Sequence, residues 1–231
     1  MKRFYKEAAV QRTAHGFSIA LDGRTAKTPD GAPLALHSAA LADAIAAEWA
    51  GQGEEIDDMP LTRLANTAID RVRHDRGPAL KQMIDFGRHD VVCYRATHPA
   101  DLVAREAAAW DAPLAWARAH HAIDLATTTG IASIDQPGFS PERLEHDMMA
   151  LDEFALTGLS ATVPILKSLV LALSLADGKL DAAGAHAAAH VNELFQAEKW
   201  GRDAEAEGRL AALAAELETA NLFHQLAKRR A

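Results

Sequence analysis

The chain has 231 residues, 49% of them apolar and 24% charged, so it is long enough to bury a sizeable core. Alanine supplies 51 residues while aromatic residues make up only 6%, which favours close-packed helices and argues against an all-β fold. The formal charge of −8 opposes binding to nucleic-acid phosphates and to anionic lipid. We therefore expect neither nucleic acid nor a membrane as a partner.

The first 36 residues have the short, alternating pattern of β-strands. Apolar residues alternate along 16–21, and the Asp22-Gly23 dipeptide that follows is a strong hairpin-turn signal. Two further short strands are predicted over 24–28 and 33–36, with a turn between them. Together these segments predict a small antiparallel sheet.

The period of the pattern changes at Ser38, which is a good N-cap for a helix that continues to Gly51. A second helix is predicted to begin near Pro60 and to end at Gly77-Pro78. An extended segment is predicted over 125–134. Further helices are predicted over 79–87, 101–121, 141–155, 160–176, 181–200 and 203–227.

These elements predict an α+β protein, in which a small β-rich N-terminal domain precedes a larger, mainly α-helical C-terminal domain. We place the boundary so that the first domain spans 1–58 and the second spans 59–231. The most apolar run, 168–176, is far shorter than the roughly 20 residues of a membrane span. With no apolar signal core at its start and a single cysteine, Cys93, the sequence predicts a cytoplasmic protein.

Three possible metal ligands share one face of a predicted helix. His186 and His190 are four residues apart, and Glu193 lies nearly one turn further along. The glutamate that a metalloprotease helix carries beside its first histidine is missing, so we interpret the histidines as exposed polar positions and predict no metal and no cofactor. A metal-dependent enzyme that uses these three residues stays open as an alternative.

The segment around Trp200 is the most unusual in the chain. In a continuous helix, Glu198, Arg202 and Glu205 would form one stripe, and Arg202 would pair with either carboxylate. A large aromatic residue among charges is equally typical of a hot spot for protein recognition. The residues alone leave both interpretations open.

A second tryptophan, Trp49, comes near the end of the first predicted helix, where we expect it to plug the space between sheet and helices. Arg63 on the next helix is predicted to pair with Glu48 or Asp70. Asn66 in the middle of that helix is less expected, because its side chain competes for backbone hydrogen bonds.

Several of these segments match, in chain order, a family of known sequences. The most specific is Met59-Pro60-Leu61-Thr62-Arg63-Leu64-Ala65-Asn66-Thr67-Ala68-Ile69-Asp70-Arg71. The others are Arg3-Phe4-Tyr5-Lys6, Leu21-Asp22-Gly23-Arg24, Glu48-Trp49, Cys93-Tyr94-Arg95-Ala96, Trp110-Asp111, Ser168-Leu169-Val170-Leu171-Ala172-Leu173 and Trp200-Gly201 with Asp203-Ala204-Glu205. With these motifs the chain resembles the assembly chaperones for the alpha subunit of the F-type ATP synthase catalytic head.

The resemblance implies a monomeric protein without enzymatic activity that binds the unassembled alpha subunit and prevents its aggregation until it meets the beta subunit. Glu205 matches the acidic position of the family's Trp-Gly-x-Asp-Ala-Glu motif. We expect the partner-binding residues to be Trp200, Asp203, Glu205 and Glu207. We expect structural roles for Trp49, Arg63 and Asn66. A module that binds some other subunit stays open as a further alternative.

Overall fold

The computed structural model describes residues 2–14, 16–130, 132–201 and 203–228. The strands are β1 Ala8–Thr13, β2 Gly16–Leu21, β3 Arg24–Thr25, β4 Ala35–Leu36, β5 Tyr94–Arg95 and β6 Thr128–Thr129. The helices are α1 Ala39–Ala50, α2 Pro60–Thr67, α3 Gly77–Arg88, α4 Ala100–His121, α5 Pro141–Met148, α6 Glu153–Leu166, α7 Leu169–Ala176, α8 Ala182–Ala189, α9 Val191–Trp200 and α10 Ala204–Lys228. This order confirms the predicted α+β class, with strands first and a mainly helical remainder.

The chain forms two compact units. The first unit comprises Met1–Gly77, Leu151–Gly158 and Leu222–Ala231, and the second comprises Pro78–Ala150 and Leu159–Asn221. The domain boundary that we place between residues 58 and 59 stays a prediction. None of the helices in the described ranges is both long enough and apolar enough to cross a membrane.

The sheet of the first unit is built around β2. Strand β1 pairs with it antiparallel, so that Ala8 lies opposite Leu21, and β3 and β4 also pair with β2. Asp22 and Gly23 both have positive φ, as a tight hairpin turn requires, which confirms the predicted turn. The two predicted strands after it are shorter than expected, and β1 was not predicted because its side chains are mostly exposed and lack a clear alternation.

Helix α1 supplies much of the core of the first unit. The Ser38 hydroxyl accepts a hydrogen bond from the backbone N–H of Leu41 and donates one to the carbonyl of Leu226 at 2.7 Å, which confirms the predicted N-cap. Ile45 is fully buried, and Phe223 from α10 joins the same core. The cap therefore fixes where the helix begins and also ties it to the last segment of this unit.

Helix α2 begins at Pro60, and its free N–H groups are capped from α1. The Glu48 carboxylate accepts hydrogen bonds from the backbone N–H groups of Leu61 and Thr62, each at 2.8 Å, and from the Thr62 hydroxyl at 2.6 Å. The predicted pairing of Arg63 with Glu48 is wrong, because Arg63 forms its ion pair with Asp58. After Thr67 the helix continues as a π-helical segment, Ala68–Val72.

The second unit packs around α7, whose eight residues are all buried. Every helix position is apolar except Ser174, whose hydroxyl donates to the carbonyl of Val170 at 2.8 Å. Trp110 of α4 is also fully buried, and its indole N–H donates to the carbonyl of Ala188 at 2.8 Å. A helix that is apolar on all sides is expected where it is covered on all sides, so the run at 168–176 belongs to a core.

Three predicted helices are interrupted. The helix predicted over 160–176 is wrong, because Lys167 has a positive φ and Ser168 caps a new helix. The helix predicted over 141–155 ends at Met148, and the helix predicted over 181–200 breaks at His190. Local apolar periodicity continues across each break, so it does not show where one helix stops and the next begins.

Candidate functional site

The predicted partner-binding residues lie where α9 ends and α10 begins. We call this segment, which consists of Trp200, Gly201 and residues 203–207, the Trp200 turn. Gly201 has φ +100°, a conformation that L side chains rarely adopt, so the two helices are separate. A continuous helix that would align Glu198 with Glu205 is therefore not formed, and the interpretation as one stripe is wrong. Arg202, the predicted cation of that stripe, lies outside the described residues.

Trp200 is the most exposed large hydrophobic side chain of the described residues, with 78% of its surface accessible. Tryptophan at the end of a helix usually buries most of its ring, as Trp49 does with 8% accessible. Covering roughly 150 Å² of an indole at about 25 cal/mol per Å² would contribute about 4 kcal/mol to an interaction. Among the described residues, Trp200 thus exposes the largest apolar side chain that a partner could cover.

The helix that carries Trp200 is fixed by ion pairs to α4. Glu198 pairs with Arg105 at 2.6 Å, and Lys199 pairs with Asp101 at 2.7 Å. Both cations also lie 5.2 Å from the ring centroid of buried Phe195. The hydrogen bond from Lys199 lowers the pKa of Asp101, and that from Arg105 lowers the pKa of Glu198, so both carboxylates are ionised at neutral pH. These charges are already paired and hold the end of α9 in place.

The acidic residues of the Trp200 turn lie at the start of α10. The Asp203 carboxylate accepts a hydrogen bond from the backbone N–H of Glu205 at 3.3 Å, and the Asp203 carbonyl accepts one from the N–H of Glu207 at 2.9 Å. Glu205 and Glu207 lie in the first turn of α10, where the helix dipole stabilises negative charge. All three side chains are exposed, so the turn presents carboxylates together with an apolar ring. Such a surface suits a basic and apolar partner.

The three possible metal ligands, His186, His190 and Glu193, are not assembled into a site. The rings of His186 and His190 lie 4.4 Å apart, and His190 uses Nδ1 to donate to the carbonyl of His186 at 2.9 Å. The Glu193 carboxylate instead forms ion pairs with Lys167 at 3.1 Å and with Arg209 at 4.0 Å. Among residues 2–14, 16–130, 132–201 and 203–228 no three side chains are grouped to hold a metal ion.

Burial lowers the pKa of both histidines, and His190 is completely buried. Our interpretation of them as exposed polar positions is therefore wrong: His186 is half-buried, and His190 lies buried at the junction of α8 and α9. A neutral imidazole there satisfies one backbone carbonyl at a break between helices, and this gives His190 a structural role. Nothing in the arrangement supports the metal-dependent alternative.

The three residues with predicted structural roles differ in burial. Trp49 packs edge-on against the ring of Tyr5, with centroids 5.4 Å apart, and its carbonyl accepts a hydrogen bond from the Tyr5 hydroxyl at 2.6 Å. Arg63 is exposed and contacts Asp58. The Asn66 side-chain oxygen is buried and has no hydrogen-bond partner within the described part of the chain.

Sequence reasoning missed the residues of α4 that hold the Trp200 turn in place. Arg105 lies 93 residues before its partner Glu198, and no local pattern connects them. The same holds for Asp101 and Lys199. Opposite charges at such separations become visible only when the fold brings the helices together.

The fold defines a class of α+β protein with a small N-terminal sheet and a mainly helical remainder, and the Trp200 turn gives it an exposed apolar and acidic surface. The family model described as ATP12 chaperone protein matches residues 2–118. A crystal structure of Atp12 from Paracoccus denitrificans is 37% identical, covers 98% of each chain and superimposes with a TM-score of 0.92.

Two further structures are similar. An aspartate-to-lysine variant of the Paracoccus protein matches with the same 37% identity and TM-score of 0.92, over 98% of each chain. A protein from Agrobacterium tumefaciens, described as a chaperone candidate, is 35% identical over 99% of this chain and 86% of its own, with a TM-score of 0.91. The chain therefore belongs to the ATP12 chaperone family.

Proposed function

We propose that the protein is a chaperone of ATP synthase assembly that binds the unassembled alpha subunit of the F-type catalytic head through the Trp200 turn. Membership of the ATP12 family and the resemblance of the motifs support this role. The observation that carries the site is the 78% exposure of Trp200 beside the exposed carboxylates of Asp203, Glu205 and Glu207. We further propose that the protein works in the cytoplasm as a monomer and has no enzymatic activity.

The physical logic of this role is the protection of an interface. A ring subunit that has not yet met its neighbours exposes apolar surface, and such surface promotes self-association. A chaperone that covers part of it slows aggregation by binding alone, without chemistry. Release then requires only that the beta subunit compete for the same surface.

The Trp200 turn suits a partner that must be held and then released. A single exposed indole can act as a hot spot, since a few aromatic residues often supply most of the affinity of an interface. The exposed acidic side chains beside it add electrostatic steering toward a basic surface, and this contribution weakens with salt. We expect binding of the alpha subunit to weaken as the ionic strength rises.

Co-expression with the alpha subunit tests the proposal. The variants are Trp200→Ala and Glu205→Gln, and the matched control is Glu218→Gln, an exposed glutamate of the same helix. Glu218 lies thirteen residues after Glu205, or roughly 20 Å along the helix axis. The measurement is the fraction of alpha subunit that remains soluble and is recovered with the chaperone.

We expect both site variants to reduce the soluble alpha subunit and the control to leave it unchanged, while circular dichroism shows all variants folded. Equal solubility with folded site variants would overturn the site assignment. Failure of the unaltered protein to retain the alpha subunit at all would overturn the choice of client and favour a module for some other subunit.

A further inference from the structure

A second surface with the features of a binding site lies in the first unit, remote in sequence from the Trp200 turn. It is a cavity of about 560 Å³ beside the β2–β3 hairpin, in the size range of sites that hold small ligands or peptide side chains. We call it the Phe4 cleft, and its lining includes Phe4, Tyr5, Leu21, Arg24, Lys27 and Trp49.

The apolar wall of the Phe4 cleft is a row of three aromatic rings. Phe4 packs edge-on against Tyr5 with centroids 5.4 Å apart, and Tyr5 packs edge-on against Trp49 at the same distance. Tyr5 and Trp49 are buried and joined by a 2.6 Å hydrogen bond, whereas 64% of Phe4 is accessible. The wall is therefore fixed at its base and leaves one aromatic side chain available at the surface.

Two positively charged side chains that line the Phe4 cleft, Arg24 and Lys27, are unpaired in the part of the chain that the structure describes. The exposed side chains of Arg24 and Lys27 form no ion pair or side-chain hydrogen bond within the described residues. The acidic residue of the lining, Asp22, accepts hydrogen bonds from the backbone N–H groups of Lys6 at 3.0 Å and Glu7 at 2.9 Å. These bonds lower the pKa of Asp22 and occupy its carboxylate. The cleft thus keeps two free cations in a chain whose formal charge is −8.

We propose that the Phe4 cleft binds an extended acidic peptide segment of a partner protein, with an aromatic or aliphatic side chain against Phe4 and Trp49. Arg24 and Lys27 are three residues apart in an extended stretch, so their backbone positions are about 10 Å apart. In an extended peptide, acidic residues on both sides of an apolar one lie about 7 Å apart along the backbone. The long, flexible side chains of Arg24 and Lys27 can span the remaining distance. The guanidinium of Arg24 can hold a carboxylate through two parallel hydrogen bonds.

The same observations argue against a nucleic acid as the occupant. Affinity for a nucleic acid comes from many phosphate contacts, and among the described residues only two unpaired cations line this cleft. The rest of the chain repels phosphates, since residues 38–231 carry a formal charge of −11, the difference between −8 overall and +3 for residues 1–37. A short acidic peptide needs only the local positive charge and an apolar anchor.

A peptide titration tests the proposal on the full chain. The probe is a blocked, fluorescently labelled peptide, Asp-Phe-Glu-Leu-Asp, followed by fluorescence anisotropy at low salt. One control peptide replaces the three acidic residues with lysine, and another replaces the two apolar residues with alanine. We expect the acidic apolar peptide to bind at least tenfold more tightly than either control and to shift the Trp49 indole N–H signal in an NMR spectrum.

Charge-reversal variants then locate the site. We expect Arg24→Glu and Lys27→Glu each to weaken peptide binding at least fivefold. The matched control is Arg12→Glu, which makes the same change of charge at a position opposite Phe17, at the other end of the β1–β2 pair from Leu21. Phe4→Ser should also weaken binding without loss of fold, because Phe4 is largely exposed. Trp200→Ala should bind the peptide as the unaltered protein does, so this test is separate from that of the alpha-subunit site.

Three results would overturn the proposal. The first is no binding of the acidic apolar peptide at millimolar concentration, or equal binding of a control peptide. The second is an equal loss of binding in Arg12→Glu, which would indicate attraction by overall charge alone. The third is tighter binding of a single-stranded oligonucleotide of similar length.

Discussion

Two tryptophans near the ends of helices have opposite environments. Trp49, near the end of α1, is 8% accessible, and Trp200, at the end of α9, is 78% accessible. After Trp49 the chain is held by local hydrogen bonds, such as the one from the Gln52 amide to the Glu48 carbonyl at 3.0 Å. Before Trp200, Glu198 and Lys199 form ion pairs with α4, and the indole itself stays exposed.

The contrast shows that the partners of the neighbouring residues decide the role of a tryptophan more than its type or its place in a helix. Trp49 has a buried ring neighbour, Tyr5, that bonds to its carbonyl. Glu198 and Lys199 fix the end of α9 without covering Trp200. The first arrangement buries the indole in a core, and the second leaves it exposed at the surface.

The largest expected effect is on the free energy of unfolding, which should fall far more on loss of Trp49 than on loss of Trp200. Trp49→Ala removes a buried ring, so we expect the free energy of unfolding to fall by about 3–5 kcal/mol. Trp200→Ala removes an exposed ring, so we expect a change within about 0.5 kcal/mol. Urea unfolding followed by circular dichroism measures both, with Trp49→Phe as a milder control. Similar losses in the two alanine variants would break the comparison.

The next largest effect is on binding of the alpha subunit. Here we expect the loss of Trp200 to matter more than the loss of Trp49. We expect Trp200→Ala to weaken binding of the alpha subunit by about 2 kcal/mol, or roughly 30-fold, as for a hot-spot residue. Trp200→Phe should retain part of the affinity because it keeps an aromatic ring. Biolayer interferometry with immobilised alpha subunit gives the dissociation constants. An unchanged constant for Trp200→Ala would remove Trp200 from the interface.

A smaller effect is expected from the cap between α1 and α2. Glu48→Ala leaves the N–H groups of Leu61 and Thr62 without their acceptor, so we expect a loss of about 1–2 kcal/mol in unfolding free energy. The matched variant is Glu205→Ala, which removes an exposed glutamate and should lower the free energy of unfolding by less than Glu48→Ala does. Both are measured by chemical unfolding. A greater loss in Glu205→Ala would show that the Trp200 turn is the more structural of the two regions.

The smallest effect is a dependence of stability on pH at the start of α9. Because burial lowers the pKa of His190 in the folded state, the unfolded chain binds a proton more readily, and stability is lost as the pH falls below about 6.5. We expect the midpoint of thermal unfolding to fall between pH 7 and pH 5, and His190→Asn to reduce this fall. An identical fall in the variant would assign the dependence to other groups.

The elements that sequence predicted well carry their signals locally. Ser38 provides the cap of α1, Asp22-Gly23 provides the turn after β2, and Pro60 begins α2. For Ser38 and Asp22-Gly23 the deciding interaction lies within a few residues of the signal, and for Pro60 the fixed φ of the residue itself is the signal. Ser168 caps α7 in the same way, but it lies inside the segment predicted as one helix over 160–176, and its signal was not recognised.

The features that sequence did not predict depend on distant contacts. Strands β5 and β6 pair in parallel, with Tyr94 opposite Thr128. The sequence of either strand alone does not show this register. The residues of the Trp200 turn could be recognised from the sequence, since its tryptophan and acidic residues are close together in the chain. Its exposure could not be predicted, because no local pattern shows which elements pack beside α9, such as α4 with Asp101 and Arg105.

The central claim is that the exposed Trp200 turn holds the alpha subunit. The most direct measurement dilutes denatured alpha subunit into buffer with one equivalent of chaperone and follows aggregation by light scattering. We expect the unaltered protein and Glu218→Gln to suppress scattering, and the double variant Trp200→Ala, Glu205→Gln to lose this protection while remaining folded. Full suppression by the folded double variant would contradict the claim.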